Sequence, residues 1–277
     1  MRLTVLIFFL PILALAQSGS PVIESPQPLS FRLALYTTGA DVSSSARELQ
    51  RFIDKLDSKR RDYRNDKLFL GHVFGKTHQR YLKSYKEYAP FGELLKSGTY
   101  NCLTGTALYA LILERLGFEY EVIETNHHIF LLAETPDEQI LFEATDPLKG
   151  FVSDVFEIEQ RLKNYRKNTA SQGSSAKTYY QFNTVLYNSI DVNEIAGLLH
   201  YNASVAAYNK NDLRSSVDLL DKAILLYRSP RTEEFSRIVL LTVMESRLDK
   251  EIKEELLRKI HSIRNNKMHV VASSKLF

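Results

Sequence analysis

A helical hydrophobic period follows the single cysteine of this chain, Cys102, and then changes to the period of strands. From residue 104 to residue 116, apolar side chains recur at helical spacing, and Gly117 follows where a left-handed helix cap is expected. The period then becomes two, which predicts strands at 120–123, 128–133 and 140–145. A helix followed by an antiparallel sheet is an α+β arrangement.

The segment 135–138, Thr-Pro-Asp-Glu, has the composition of a hairpin turn between the last two predicted strands. If the turn is centred between residues 136 and 137, Glu143 lies opposite Phe130, and His128 lies on the same face one step away diagonally. This diagonal is short enough for a carboxylate to hydrogen-bond to an imidazole. The sequence therefore predicts that Glu143 orients His128.

The register of this hairpin also leaves alternatives. Asp146 shares the face of His127 in the same register, and a slip of one residue would exchange the two carboxylates between the two imidazoles. Asp146 is therefore the alternative third member of the site, and His127 is the alternative base.

Cys102 lies at the start of the predicted helix and is the only thiol of the chain. The N–H groups and the dipole at a helix start favour a thiolate, which is the nucleophilic form of cysteine. The same N–H groups can hold the oxyanion of a tetrahedral intermediate. The structural alternative is a buried cysteine that packs as a small hydrophobe. A helix cysteine, a strand histidine and a carboxylate on the next strand, in this order, favour the nucleophile.

Residues 1–16 have the layout of a secretory signal peptide. Met1-Arg2 gives a positive start, and Leu3 to Leu13 form an apolar run that is too short to span a bilayer comfortably. Ala14-Leu15-Ala16 supplies a small-x-small cleavage site. We therefore expect cleavage after Ala16, a periplasmic or secreted protein, and no integral membrane segment in the mature chain.

The mature chain divides into an arm and two folded parts. Residues 17–35 are predicted to form an N-terminal arm, since three prolines fall in their first fourteen residues with little other pattern. Residues 36–187 are predicted to form the domain that contains Cys102. Amphipathic helices are expected in it from Ser43 onward and over 66–85, and a Ser/Gly-rich loop over 171–176.

Residues 188–265 have helical spacing throughout and predict an all-α region, followed by a tail at 266–277. Within it, 201–230 resembles a single tetratricopeptide repeat, with Asn211-Asp212 at the turn between two helices. One such repeat cannot bury its own apolar face, so 233–264 is expected to form a degenerate neighbouring pair that packs against it.

The region around Cys102 resembles the transglutaminase-like (papain-like) cysteine fold, in which a cysteine at a helix start precedes a histidine on a strand and a carboxylate on the next strand. The resemblance rests on Gly98-Thr99-Tyr100-Asn101-Cys102, the helix that ends at Gly117, His128-Ile129-Phe130-Leu131 and Phe142-Glu143-Ala144-Thr145. It implies a helix packed on an antiparallel sheet, with Cys102 as nucleophile, His128 as general base and Glu143 as the orienting third member.

Two departures from the family pattern bear on activity. Glu143-Ala144-Thr145 stands where most members have Asp followed by Pro and Thr, although a glutamate can orient an imidazole as an aspartate does. The chain has no tryptophan, whereas the cross-linking enzymes of this fold use tryptophans near the thiol. These departures favour hydrolysis, or an inactive scaffold, over protein cross-linking.

Composition excludes several other classes of function. A formal charge of +3 is too small to indicate a nucleic-acid partner, and 44% apolar residues are typical of a folded domain. Adjacent strand histidines point to opposite faces and there is no second thiol, so the sequence predicts no metal site and no cofactor.

Two functions fit these patterns. The first is an exported cysteine-dependent acyl-transfer enzyme, an amidase or peptidase with a Cys-His-Glu triad that acts on a peptide or cell-wall-like substrate. The alternative is a catalytically inactive transglutaminase-like scaffold whose helical repeats bind a protein or peptide partner.

Overall fold

The computed structural model describes residues 27–37, 42–167 and 186–265. Within these ranges the helices are α1 (Leu29–Tyr36), α2 (Val42–Asp57), α3 (Asp66–Tyr81), α4 (Phe91–Ser97), α5 (Cys102–Leu116), α6 (Val155–Arg166), α7 (Val192–Asn209), α8 (Leu213–Leu226), α9 (Pro230–Glu245) and α10 (Lys250–Asn265). The strands are β1 (Ser84–Tyr85), β2 (Thr99–Tyr100), β3 (Tyr120–Thr125), β4 (Ile129–Glu134), β5 (Gln139–Phe142), β6 (Phe151–Val152) and β7 (Tyr187–Ile190).

A five-stranded sheet in the order β6-β5-β4-β3-β7 forms the β layer of the molecule, and every neighbouring pair is antiparallel. In the β4–β5 hairpin, Leu131 pairs with Phe142 and Glu134 pairs with Gln139. The hairpin turn is therefore centred between residues 136 and 137, as the sequence predicts. Together with the helices this makes the α+β class that the change of hydrophobic period indicates.

Helix α5 is the centre of the fold, and nearly all of its residues are buried. It is apolar on every side, which is the pattern of a helix enclosed by other elements. Gly105 lets it approach the end of β5 closely, because a Cβ at this position would lie 2.7 Å from the Cβ of Ala144. The helix ends at Gly117, whose φ of +73° is the expected left-handed cap.

Two predicted boundaries are wrong at the start of the domain. Residues 29–35 of the predicted arm belong to α1, whose Leu29, Leu33 and Tyr36 are buried in the main core. Helix α3 ends at Tyr81 and not at residue 85, because Ser84 and Tyr85 form a two-residue parallel ladder with β2. The predicted signal peptide, the first ten residues of the arm and the Ser/Gly-rich loop at 171–176 lie outside the described residues.

Helices α7 to α10 form the C-terminal part of the molecule. Helices α7 and α8 are joined by a tight turn in which Asn211 has a φ of +60°, at the position where the repeat-like pattern predicts a turn. Helices α8, α9 and α10 pack around a second hydrophobic core, separate from the one around α5. Fully buried in this core are Val217, Leu220, Val239 and Ile260. The predicted tail, 266–277, lies outside the described residues.

Helix α7 belongs to both cores of the protein. Its first half places Ile195, Ala196 and Leu199 in the main core around α5, and Tyr201 lies in the core of the C-terminal helices. The C-terminal helices are therefore packed continuously onto the α5 and sheet region. None of the helices in the described ranges is long and apolar enough to cross a membrane.

Candidate active site

Cys102 is the first residue of α5 and is half-buried. The helix start is closed by a reciprocal capping box. The Asn101 side chain accepts the Thr104 N–H at 2.9 Å, and the Thr104 hydroxyl accepts the Asn101 N–H at 2.9 Å. No hydrogen bond among the described residues uses the N–H groups of Cys102 or Leu103. Two backbone donors therefore remain available beside the thiol.

His128 is presented by the tight turn between β3 and β4. The Thr125 N–H donates to the His128 carbonyl at 2.8 Å, and the His128 N–H donates to the Thr125 hydroxyl at 3.0 Å. The His128 ring hydrogen-bonds to Glu143 Oε2 through Nε2, and it lies near enough to Cys102 for the thiol group to raise the pKa of the ring. Glu143 engages Nε2, so Nδ1 is the ring nitrogen that is left to transfer a proton. The side chain is 22% exposed, which leaves the pair reachable.

Glu143 follows β5 directly and its side chain is only 5% exposed. Its Oε1 atom accepts hydrogen bonds from the Thr145 N–H at 3.1 Å and from the Thr145 hydroxyl at 2.7 Å. Its Oε2 atom accepts from His128 and from the Tyr165 hydroxyl, the latter at 3.1 Å. A buried carboxylate with four donors is fully satisfied in its ionised form.

The electrostatics of the pair follow from these contacts. Burial opposes the charged form of the imidazole, but the hydrogen bonds to Cys102 and Glu143 outweigh burial and raise the pKa of His128 to about 10. For Glu143, burial raises the pKa of the carboxyl group. The contacts with His128 and Thr145 outweigh burial and hold this pKa below its ordinary value. At neutral pH, His128 is therefore an imidazolium and Glu143 a carboxylate.

Tyr165 on α6 is also part of the site, although the sequence patterns do not predict it. Its ring lies 5.0 Å from the His128 ring and 4.8 Å from that of Phe130, while its hydroxyl donates to Glu143. Ile158, Leu162 and Tyr165 recur at helical spacing, which could have located an inward face of α6. Nothing in that spacing indicates that the face reaches Glu143.

The two alternative residues lie elsewhere. His127 is exposed, and burial of part of its ring and the charge of Arg231 lower its pKa. Asp146 accepts the N–H groups of Leu148 and Lys149 at 3.2 and 2.9 Å, and so stabilises the turn after Glu143. Among the described residues, neither side chain hydrogen-bonds to Cys102 or to the His128 ring, because the register of the hairpin sets Glu143 diagonally across from His128.

A buried histidine, His78, contacts the backbone of the segment that follows Glu143. His78 is 8% exposed, its Nε2 lies 3.0 Å from the Ala144 carbonyl and its Nδ1 lies 2.6 Å from the Tyr109 hydroxyl. Burial lowers the pKa of His78, and the Tyr109 hydroxyl beside its Nδ1 donates to the Phe74 carbonyl at 3.0 Å. His78 is structural, and the described residues contain no group of three side chains that could hold a metal ion.

In comparisons with known proteins, no family model, curated protein or solved structure matched this chain. The geometry of the site is therefore what bears on function.

Proposed function

We propose that this protein is an exported cysteine-dependent acyl-transfer enzyme of the transglutaminase-like kind, acting as an amidase or peptidase. The observation that carries the proposal is the hydrogen bond between the His128 ring and the buried Glu143 carboxylate, in a ring whose pKa is also raised by the nearby Cys102. A half-buried cysteine at a helix start, near an oriented imidazolium, is the arrangement that nucleophilic catalysis by cysteine requires.

In the acylation step, the Cys102 thiolate attacks the carbonyl carbon of the substrate and forms a carbon–sulfur bond. The carbonyl electron pair moves to oxygen, and the N–H groups of Cys102 and Leu103 at the start of α5 donate hydrogen bonds to that oxyanion. When the intermediate collapses, the bond to the leaving amine breaks and Nδ1 of His128 gives its proton to the amine. The products are a thioester on Cys102 and a free amine.

In the deacylation step, the neutral His128 takes a proton from water while the water oxygen attacks the thioester. Collapse of the second intermediate releases the carboxylic acid and the Cys102 thiolate, and His128 is again an imidazolium. Glu143 stays ionised throughout, because its role is to hold the ring in one orientation and to stabilise its charge.

Hydrolysis is favoured over cross-linking because the chain lacks the tryptophans that cross-linking enzymes of this fold use near the thiol. An N-terminal signal peptide would deliver the protein to peptide or cell-wall-like amides outside the cytoplasm. These two features together define the substrate class that we propose.

The test uses p-nitrophenyl acetate, which acylates thiols without requiring a particular substrate pocket. The folded protein should release a burst of about one p-nitrophenolate per chain, place one acetyl group on Cys102, and then turn over. The Cys102→Ala variant should show no burst. If Cys102 in the folded protein is acetylated no faster than in the urea-unfolded chain, the proposal is wrong, and the inactive scaffold becomes the better account.

A further inference from the structure

The start of α9 is joined to the turn that presents His128. The Arg231 guanidinium donates through Nη2 to the carbonyls of Thr125 and Asn126, at 2.8 and 3.0 Å. Through Nε it donates to Glu124 Oε1 at 3.0 Å. A single side chain of the C-terminal helices therefore contacts three successive residues of the β3–β4 hairpin.

The contact is buried on both sides. The Glu124 side chain is 2% exposed and that of Arg231 is 17% exposed. The second oxygen of Glu124 accepts a hydrogen bond from the Tyr227 hydroxyl at 2.7 Å. A buried carboxylate needs such partners, and the planar fork of an arginine fixes the direction of its hydrogen bonds as well as supplying charge.

Arg231 is held in place by its own helix. It follows Pro230 in the first turn of α9, and this turn begins at a capping box between Ser229 and Thr232. Its guanidinium also lies over the Tyr201 ring, 5.8 Å from the ring centroid. Contacts within the C-terminal helices therefore help to hold the Arg231 guanidinium in the position from which it donates to the hairpin.

The held carbonyls lie within three residues of the His128 ring. Thr125 is joined to His128 by hydrogen bonds in both directions, and Asn126 accepts the Leu186 N–H at 2.6 Å. Any shift of the peptides at 125 and 126 is therefore passed on to the backbone of His128. A displacement of about 1 Å at a reacting group can lower a rate about 100-fold.

We propose that Arg231 is a positioning residue for His128, so that the C-terminal helices form part of the catalytic machinery rather than a separate binding module. The inference rests on the proposed function. It assigns to the Glu124–Arg231–Tyr227 cluster the task of setting the His128 ring against Cys102, from a position outside the reacting groups.

The experiment compares Arg231→Met, Arg231→Lys and the double variant Glu124→Gln/Arg231→Met with the full-length wild-type chain. The double variant removes the buried carboxylate charge together with its partner, so its fold does not carry an unpaired buried charge. Arg228→Met is the matched control, because Arg228 lies three residues away and contacts Glu233 and the Ile263 carbonyl instead of the hairpin. Circular dichroism confirms that each variant is folded.

Two readouts are measured, the acetylation rate of Cys102 by p-nitrophenyl acetate and the titration of the His128 ring by NMR. In Arg231→Met and in the double variant, p-nitrophenyl acetate should acetylate Cys102 about 10-fold to 100-fold more slowly than in the wild type. The pKa of His128 should move toward 6.5 in both. Arg231→Lys should recover part of both effects, and Arg228→Met should match the wild type. The His128 signal is assigned by its loss in His128→Gln.

If folded Arg231→Met and the double variant keep the wild-type acetylation rate and the wild-type titration of His128, the inference is wrong. Should the wild-type Cys102 itself prove unreactive, the proposed function fails, and the titration of His128 still decides whether Arg231 positions the ring. The failure of one claim is thus distinguishable from the failure of the other.

Discussion

Nε2 of His128, one residue before β4, is hydrogen-bonded to Oε2 of Glu143, one residue after β5. The bond spans the hairpin diagonally, because the register sets Glu143 opposite Phe130. It joins a partly exposed imidazolium to a buried carboxylate. The orientation and the charge of the site both depend on this bond.

The raised pKa of His128 predicts a loss of stability at alkaline pH. A group whose pKa rises from 6.5 to about 10 on folding stabilises the folded state fully below pH 6.5. That stabilisation is lost as the pH rises through about 10. The free energy of unfolding in urea should therefore fall more steeply with pH in the wild type than in His128→Gln. A difference between the two proteins that does not change with pH would contradict the assigned charge.

Replacing Glu143 by glutamine should slow turnover of p-nitrophenyl acetate by about 100-fold to 10,000-fold, because an amide neither stabilises the imidazolium nor accepts all four hydrogen bonds. Asp146→Asn is the matched control. The amide oxygen at 146 can still accept the turn N–H groups, so the rate should change by less than about twofold. The opposite order of effects would make Asp146 the orienting carboxylate.

Tyr165→Phe removes the hydroxyl that donates to Glu143 and keeps the ring beside His128. The loss of one hydrogen bond of about 1 kcal/mol should lower the turnover rate about fivefold. Tyr165→Ala also removes the ring and should have the larger effect. Steady-state rates of both variants test this order, and equal rates in wild type and Tyr165→Ala would remove Tyr165 from the site.

Gly105→Ala should destabilise the fold by about 1–3 kcal/mol, since the new Cβ overlaps Ala144, the residue after Glu143. Gly75→Ala on α3 is the control, because a Cβ there meets no atom within 4 Å. It should stabilise the protein by about 0.5–1 kcal/mol through helix propensity. Urea unfolding of both variants measures the difference, and equal values would show that α5 does not need its close approach to β5.

The local parts of the fold are predictable from sequence because they depend on spacing along the chain. The helix after Cys102, the hairpin turn and the pairing of His128 with Glu143 all follow from hydrophobic period and turn composition. The same information misplaces the residues around α1, since a short apolar helix after prolines resembles an extended arm.

The contacts that sequence spacing cannot predict join distant parts of the chain. Tyr165 reaches Glu143 from 22 residues away, and Arg231 reaches Glu124 from 107 residues away. The sequence around Tyr165 and around Arg231 contains no local pattern that predicts which residue each of them contacts. These contacts arise from the packing of α6 and α9, and they decide how firmly the predicted site is held.

The most direct test of the account is the rate at which iodoacetamide alkylates Cys102 as a function of pH, in wild type and in His128→Gln. Because the chain has one cysteine, the label reports this thiol alone. An unassisted thiol titrates near pH 8.5, so its rate at about pH 6 is roughly 300-fold below its maximum. We predict that at about pH 6 the wild type is alkylated at least about 10-fold faster than His128→Gln, because the imidazolium of His128 favours the thiolate. Superimposable curves for the two proteins would contradict a catalytic pair of Cys102 and His128.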